Sequence, residues 1–375
     1  MKIVVLGNYA RWLINFRGPM MRQMVRRGHA VVACAPEASA EIRRQLAQMG
    51  VTYRDIPVHR GGLSPLADLY SIFCFLRLFR CVKPDLLFAY TVKPMIYGIA
   101  AARIAGVPRC VAMVEGLGYA FTGGRWPKRW LAGLVAALYR MSLCRCERVF
   151  FLNPDDRALF IRLGILKERR RGILLSGTGV DIDYFAPAAL PVQPAYLFMA
   201  RLLRDKGICE FVRAARKIKL KYPNVRFFVA GWIDDNPAAI CADDLRRWVQ
   251  EGVVEYLGNL EDVRPALRRA SVFVLPSYYR EGMPRTIMEA MAMGRAVITS
   301  DTPGCREAVR EGVSGYLVPP KDPAALAAAM ERFLINPEIV AAMGNMGRKM
   351  AEEKYDVRKV NGRILREMEM AECVS

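Results

Sequence analysis

The chain has 375 residues and carries 56 Lys and Arg against 36 Asp and Glu, a formal net charge of +20. With 53% hydrophobic and 25% charged residues it is neither disordered, collagen-like nor a coiled coil, and its length favours two domains. Ten Cys without a CxxC pair exclude a disulfide scaffold or zinc ribbon and read as reduced thiols of a cytoplasmic protein.

In chain order, the apolar stretch at Ile3–Leu6 is too short for a signal peptide and reads as a first strand. Strands are predicted at Lys2–Leu6, Ala30–Ala35, Val51–Ile56, Asp85–Ala89, Arg109–Val114 and Arg148–Leu152. Helical spacing separates them at Asn15–Arg27, Ala38–Met49, Leu66–Val82 and Met95–Ala105. Such alternation implies βαβ units and a parallel, doubly wound sheet. Pro187, Pro191 and Pro194 then read as a linker, since proline fixes φ and removes a donor. Beyond it strands are predicted at Tyr196–Ala200, Arg226–Ala230, Val253–Leu257, Val272–Leu275 and Ala296–Thr299, and a last helix at Val357–Ala371. The expected domains are therefore 1–186, a linker at 187–194, 195–352, and a C-terminal helix at 353–375 that packs back on the first domain. Ligands of such sheets bind beyond the carboxyl ends of the strands, so the expected site is a cleft between the two halves.

Three features of the second half converge. Arg201 ends a strand and Lys206 starts the next helix, a pair of cations suited to a diphosphate. Ser277–Pro284 leads into a helix beginning near Pro284, with Gly282 allowing close backbone approach. Glu281 precedes that helix and Glu289 lies in its second turn; carboxylates only accept, which suits sugar hydroxyls and a ribose diol.

These spacings, with Gly304, Glu307, Gly312 and Gly315, resemble retaining nucleotide-sugar glycosyltransferases of family 4 over essentially the whole chain. Tyr90–Gly98, Val114–Tyr119, Asp235–Pro237, Leu257–Asn259 and Leu275–Arg285 resemble the branch that extends polyprenyl-diphosphate-linked sugars, including α-1,3-N-acetylgalactosaminyltransferases. The resemblance implies an α/β GT-B fold of two Rossmann-like domains, the first binding the acceptor and the second a UDP-sugar, with N-acetylgalactosamine favoured. It implies Arg201 and Lys206 on the donor diphosphate, Glu281 on the transferred sugar and Glu289 on the ribose. Gly282, Met283, Pro284, Gly258 and Asn259 complete the donor site. Asn8, Arg17, Lys93, Glu115, Gly116, Gly118, Tyr119 and Arg285 fall on the acceptor side or cleft. Where that family sets a His against the sugar, this chain offers Lys93 or Glu115; His29 reads as structural and His59 stays open. Alternatives are a family member with another donor or a lipopolysaccharide or capsule acceptor.

Asp181-Ile-Asp183 spells a metal-binding pattern of another glycosyltransferase architecture, but here a capping or turn role reads better, and no obligatory metal or other cofactor is expected. Residues 1–188 hold 28 Lys and Arg against 12 Asp and Glu, while the remainder holds 28 against 24. The basic half suits an anionic partner. Arg125–Arg148, with Trp126, Lys128, Arg129 and Trp130, reads as a membrane contact on the inner face of the cell membrane. Leu66–Val82, with Arg77 and Arg80 among its apolar residues, reads as a core-packed helix with a basic exposed face, membrane contact being the alternative. A nucleic-acid-binding protein is the alternative from another class, yet no recognised module carries clustered basic and aromatic residues.

Overall fold

The computed structural model describes residues 1–58, 64–117, 121, 126–167 and 171–370. It divides into two compact units, Met1–Leu175 with Arg358–Ser375, and Ser176–Val357.

The first unit is built on seven parallel strands in the order β3-β2-β1-β4-β5-β6-β7. They are β1 Lys2–Leu6, β2 Ala30–Ala35, β3 Val51–Asp55, β4 Leu86–Tyr90, β5 Arg109–Val114, β6 Arg148–Phe151 and β7 Gly172–Leu174. Strands covered on both faces must be apolar throughout, and β4 is buried along its whole length. The helix predicted from Asn15 to Arg27 is α2 Gly18–Arg26, and a short helix not expected from sequence, α1 Ala10–Asn15, precedes it across a break at Phe16 and Arg17. Pro19 lacks an amide, so it fits only the first turn of a new helix, and the break turns Arg17 inward, where it is fully buried. α3 Ala40–Gln48 follows, capped by Ser39, whose hydroxyl accepts from the Ile42 amide at 3.3 Å. α4 Pro65–Val82, a π-helical turn at Pro94–Gly98 running into α5 Ile99–Ile104, and α6 Trp126–Leu143 pack together, with α5 touching both α4 and α6. α7 Pro154–Arg162 completes the crossovers.

The second unit holds six parallel strands in the order β10-β9-β8-β11-β12-β13. These are β8 Ala195–Met199, β9 Arg226–Ala230, β10 Glu255–Tyr256, β11 Val272–Leu275, β12 Ala296–Ser300 and β13 Gly315–Val318. Its helices are α8 Ile208–Lys221, α9 Ala242–Gln250, α10 Arg264–Arg268, α11 Arg285–Ala292, α12 Pro323–Ile335 and α13 Glu338–Met350. β10 pairs over two residues rather than the five expected.

Residues 176–194, read from sequence as the end of the first domain and a linker, belong to the second unit. Two arginines explain why. Arg295, fully buried, donates to the carbonyls of Ala188, Ala189, Ala270 and Met293. Arg348 donates to those of Ile182, Phe185 and Ala292 at 2.7 to 3.1 Å. The last helix, α14 Val357–Met370, belongs from Arg358 onward to the first unit. There Glu369 pairs with Arg27, Glu367 with Arg148, and the Met368 carbonyl accepts from Arg109.

Burial lowers the Arg295 guanidinium to about 10, so this is a cation kept in the interior by its carbonyl partners. Arg295→Met removes those donors at once. It is expected to cost the second unit about 3 kcal/mol or more, seen as an earlier urea transition.

Candidate active site

In a parallel sheet every strand delivers its carboxyl end to the same edge, and the strand order reverses once. In the second unit that reversal lies between β8 and β11, and the sequence-predicted donor residues gather there. β8 runs into Arg201, whose Nη1 donates to Asp234 Oδ2 at 3.0 Å. A single 3₁₀ turn, Arg204–Lys206, follows and presents Lys206 ahead of α8. Its ammonium is paired with Glu281, whose Oε1 also accepts from Ser277 Oγ at 3.0 Å. The Tyr279 ring lies beneath both cations, 4.9 Å from Lys206 Nζ and 5.9 Å from the Arg201 guanidinium carbon. The Asp205 carbonyl accepts from the Tyr278 and Tyr279 amides at 2.9 and 2.8 Å, tying the β8 loop to the β11 loop.

Two glycines make this closeness possible. Gly207, at φ +81°, passes so near Pro276 that a Cβ would lie 2.2 Å from its carbonyl oxygen. Gly304, at φ +86°, lies against the 281–282 backbone, where a Cβ would sit 2.6 Å from both the Glu281 and the Gly282 carbonyl oxygens.

Glu289 stands in the second turn of α11, as expected, and Arg285 Nε donates to it at 2.9 Å. Arg285, placed from sequence on the acceptor side or cleft, is thus the ion-pair partner of the predicted ribose ligand. Burial pushes the Glu289 carboxyl up, with Arg285 opposing that shift. Pro284 caps α11 from outside, at φ −64° and ψ 119°, so the helix starts at Arg285. Gly282, Met283 and Pro284 are buried in this turn. Gly258 and Asn259 follow β10, and the Gly258 carbonyl accepts from Gly231 at 2.9 Å. Asp181 Oδ1 accepts from the Asp183 and Tyr184 amides at 3.1 and 3.0 Å, the turn role expected of that pattern.

The first unit has its own reversal, between β1 and β4. Asn8 follows β1, Lys93 follows β4, and Glu115 and Gly116 follow β5. Arg17 is ion-paired with Glu115 and stacks on the Tyr90 ring at 4.8 Å. Its Nε and Nη1 are buried with no hydrogen-bond partner among the described residues, as is Tyr90 Oη. Burial raises the Glu115 carboxyl, and Arg17 opposes the shift. Lys93 Nζ donates to Asp68 of α4 at 2.7 Å, and Tyr97 Oη donates to the same carboxylate at 2.9 Å. Gly118, Tyr119 and His59, and the side chains of Trp126, Lys128 and Arg129, lie outside the described residues. Trp130 is described and is 66% exposed.

Asp234, Ser277 and Tyr279 hold the cations in place and were missed as site residues. Asp234 immediately precedes a stretch read only for resemblance, and Ser277 and Tyr279 stood inside a motif read for its glutamate. Thr91, β-branched at φ +66° after β4, carries strain that no sequence signal marks.

A family profile described as "Glycosyl transferase 4-like domain" matches residues 17–173, and one described as "Glycosyl transferases group 1" matches residues 193–336. The chain belongs to the glycosyltransferases, with these two domains in that order, and is a hexosyltransferase. It is 28% identical over 84% of both chains to the N,N'-diacetylbacillosaminyl-diphospho-undecaprenol α-1,3-N-acetylgalactosaminyltransferase of Campylobacter jejuni. It is 26% identical over 70% of both chains to the Escherichia coli UDP-Gal:α-D-GlcNAc-diphosphoundecaprenol α-1,3-galactosyltransferase. Among solved structures, Anabaena HepE in complex with UDP superposes with a TM-score of 0.78 at 18% identity, covering 99% of this chain and 100% of that one. Sucrose-phosphate synthase of Thermosynechococcus elongatus superposes with a TM-score of 0.81 at 18% identity, covering all of both chains. These likenesses show the GT-B fold.

Gly304→Ala forces a Cβ into two carbonyl oxygens from a left-handed backbone. We expect about 1–3 kcal/mol lower stability, and a larger loss of transfer activity than that destabilisation accounts for, measured below the unfolding temperature.

Proposed function

We propose that this protein is a retaining glycosyltransferase that moves a sugar from a UDP-sugar to a polyprenyl-diphosphate-linked saccharide at the inner face of the cell membrane. The sugar is an N-acetylhexosamine, with N-acetylgalactosamine first among the candidates. The observation that carries this reading is the pair Arg201 and Lys206, each anchored by a carboxylate at the strand-order reversal of the second sheet. The names of the Campylobacter and Escherichia relatives support the lipid-diphosphate acceptor. The Anabaena complex supports UDP as the nucleotide.

The chemistry follows from the donors available. An ammonium has three N–H groups and a guanidinium five, so Lys206 and Arg201 can bind diphosphate oxygens without releasing Glu281 and Asp234. Breaking the anomeric C–O bond sends its electron pair to the leaving diphosphate and leaves positive character on the sugar. Cations already fixed at that point stabilise the charge without rearranging. The departing phosphate oxygen takes the acceptor hydroxyl's proton while that hydroxyl bonds the same face of the sugar, which preserves configuration. Glu281 holds the sugar's hydroxyls, and Glu289 accepts from the ribose diol. Because two side chains supply the charge, no metal is required. The charge of the first unit is assigned to an anionic membrane surface, with Trp126, Lys128, Arg129 and Trp130 in contact, rather than to nucleic acid.

Turnover across UDP-, GDP- and ADP-sugars in EDTA, with a short-chain polyprenyl-diphosphate acceptor, tests this. One UDP-sugar should be consumed, and Lys206→Ala should lower the rate about a hundredfold. Turnover of GDP- or ADP-sugars only, or none without a divalent metal, would overturn the donor assignment.

A second expectation concerns pH. Only the ionised carboxylate of Glu289 offers both oxygens as charged acceptors to the ribose diol, so UDP affinity is full above its raised pKa and weakens as pH falls through it. The acid limb of UDP binding should therefore lie above the ordinary carboxylate value of about 4.3. Calorimetry should show that limb vanish in Glu289→Gln, with weaker binding throughout.

A further inference from the structure

We infer that the outward face of α4 docks on an anionic lipid surface, with the outward face of α6 beside it. α4 turns Phe75 and Phe79 into the core of the first unit. Leu66, Leu69, Tyr70 and Phe73, spaced at i, i+3, i+4 and i+7, point the other way, with Leu66 82% and Phe73 61% exposed. That spacing is the apolar stripe a helix normally turns toward a core. Here the solvent side carries this apolar stripe beside the exposed Arg77 and Arg80 expected from sequence. α6 does the same with Trp130 and Met141. The two helices share one layer, bridged by α5.

Charge selects the occupant. In sequence α4, α5 and α6 together contain Arg77, Arg80, Arg103, Lys128, Arg129 and Arg140 and one acid, Asp68. Asp68 is buried and taken up by Lys93 and Tyr97, so it does not offset the cations at the surface. Exposed aliphatic and aromatic side chains flanked by arginines match an interface of acyl chains and anionic headgroups. A second copy of this chain would bring the same uncompensated positive charge to the contact. No helix among the described residues is long and apolar enough to cross a membrane, so the contact lies on the surface.

The inference rests on the lipid-linked acceptor of the proposed function, which requires the enzyme at a bilayer, but its test is separate. The full chain is sedimented with phosphatidylglycerol vesicles and with phosphatidylcholine vesicles, as wild type, Leu69→Ser/Phe73→Ser and Arg77→Glu/Arg80→Glu. Both pairs are exposed, and circular dichroism checks that the fold is intact. Wild type should partition into the anionic vesicles and not the neutral ones, and each double variant should lower that partition about tenfold or more. Transfer to a water-soluble short-chain acceptor should be unchanged in both. Equal partition of wild type and variants, equal binding to neutral vesicles, or no vesicle binding by wild type overturns the inference. So does a wild-type dimer that Leu69→Ser/Phe73→Ser splits while vesicle binding persists. If vesicle binding depends on α4 but no polyprenyl-linked acceptor is used, the docking face stands and the acceptor reading falls.

Discussion

A parallel sheet joined by right-handed crossovers can reverse its winding only once, and at that point two neighbouring strand ends part company with nothing between them. Both units of this protein are built on that constraint. In the second, the gap between the β8 and β11 ends is furnished with Arg201, Lys206 and Glu281. Their geometry is not a property of one loop. Gly207 presses against Pro276 and Gly304 against residues 281 and 282, so three strand ends hold one another in register. Tyr279 lies under the two cations and screens them from below.

Each unit also keeps an arginine in its interior, for different ends. Arg295 is surrounded by carbonyls and serves architecture, joining residues 188 and 189 to the strand layer. Arg17 faces a carboxylate and an aromatic ring, and its Nε and Nη1 meet no hydrogen-bond partner among the described residues. A buried guanidinium whose donors are not all met within its own core is costly. The cost falls at the edge of the first sheet where strand order reverses, the place where such sheets carry function.

The regular part of this architecture was legible in the residues because strands buried on both faces have little choice of composition. β1, β2, β5, β9 and β11 stand where their apolar runs ended. The edge strands β7 and β13 were not seen, since three or four half-covered residues leave no run to read. The residues gathered at the reversal of the second sheet were legible because Arg201 and Lys206 stand close together after one strand, and Glu281 and Glu289 close together after another. Their supporting groups were not. Asp234 reaches Arg201 across 33 residues and Arg17 reaches Glu115 across 98, pairings that only the folded sheet creates. The exposed arginines of α4 were legible, but its second apolar stripe, Leu66 to Phe73, was not, because that spacing is the one a helix turns inward.

The chain leaves the first unit once and returns to it for a single helix. Topologically the second unit is a domain inserted into the first, not a domain appended to it. Its two ends meet: the Val180 amide donates to the Tyr355 carbonyl and the Val357 amide to the Val180 carbonyl, at 2.7 and 2.9 Å. A segment whose entry and exit are laced together in this way is closed on itself. It can be excised as a folding unit, or given new termini, without opening its sheet. Its neighbour has no such independence, because a stop codon placed at the natural end of the second unit would strip α14 from the first.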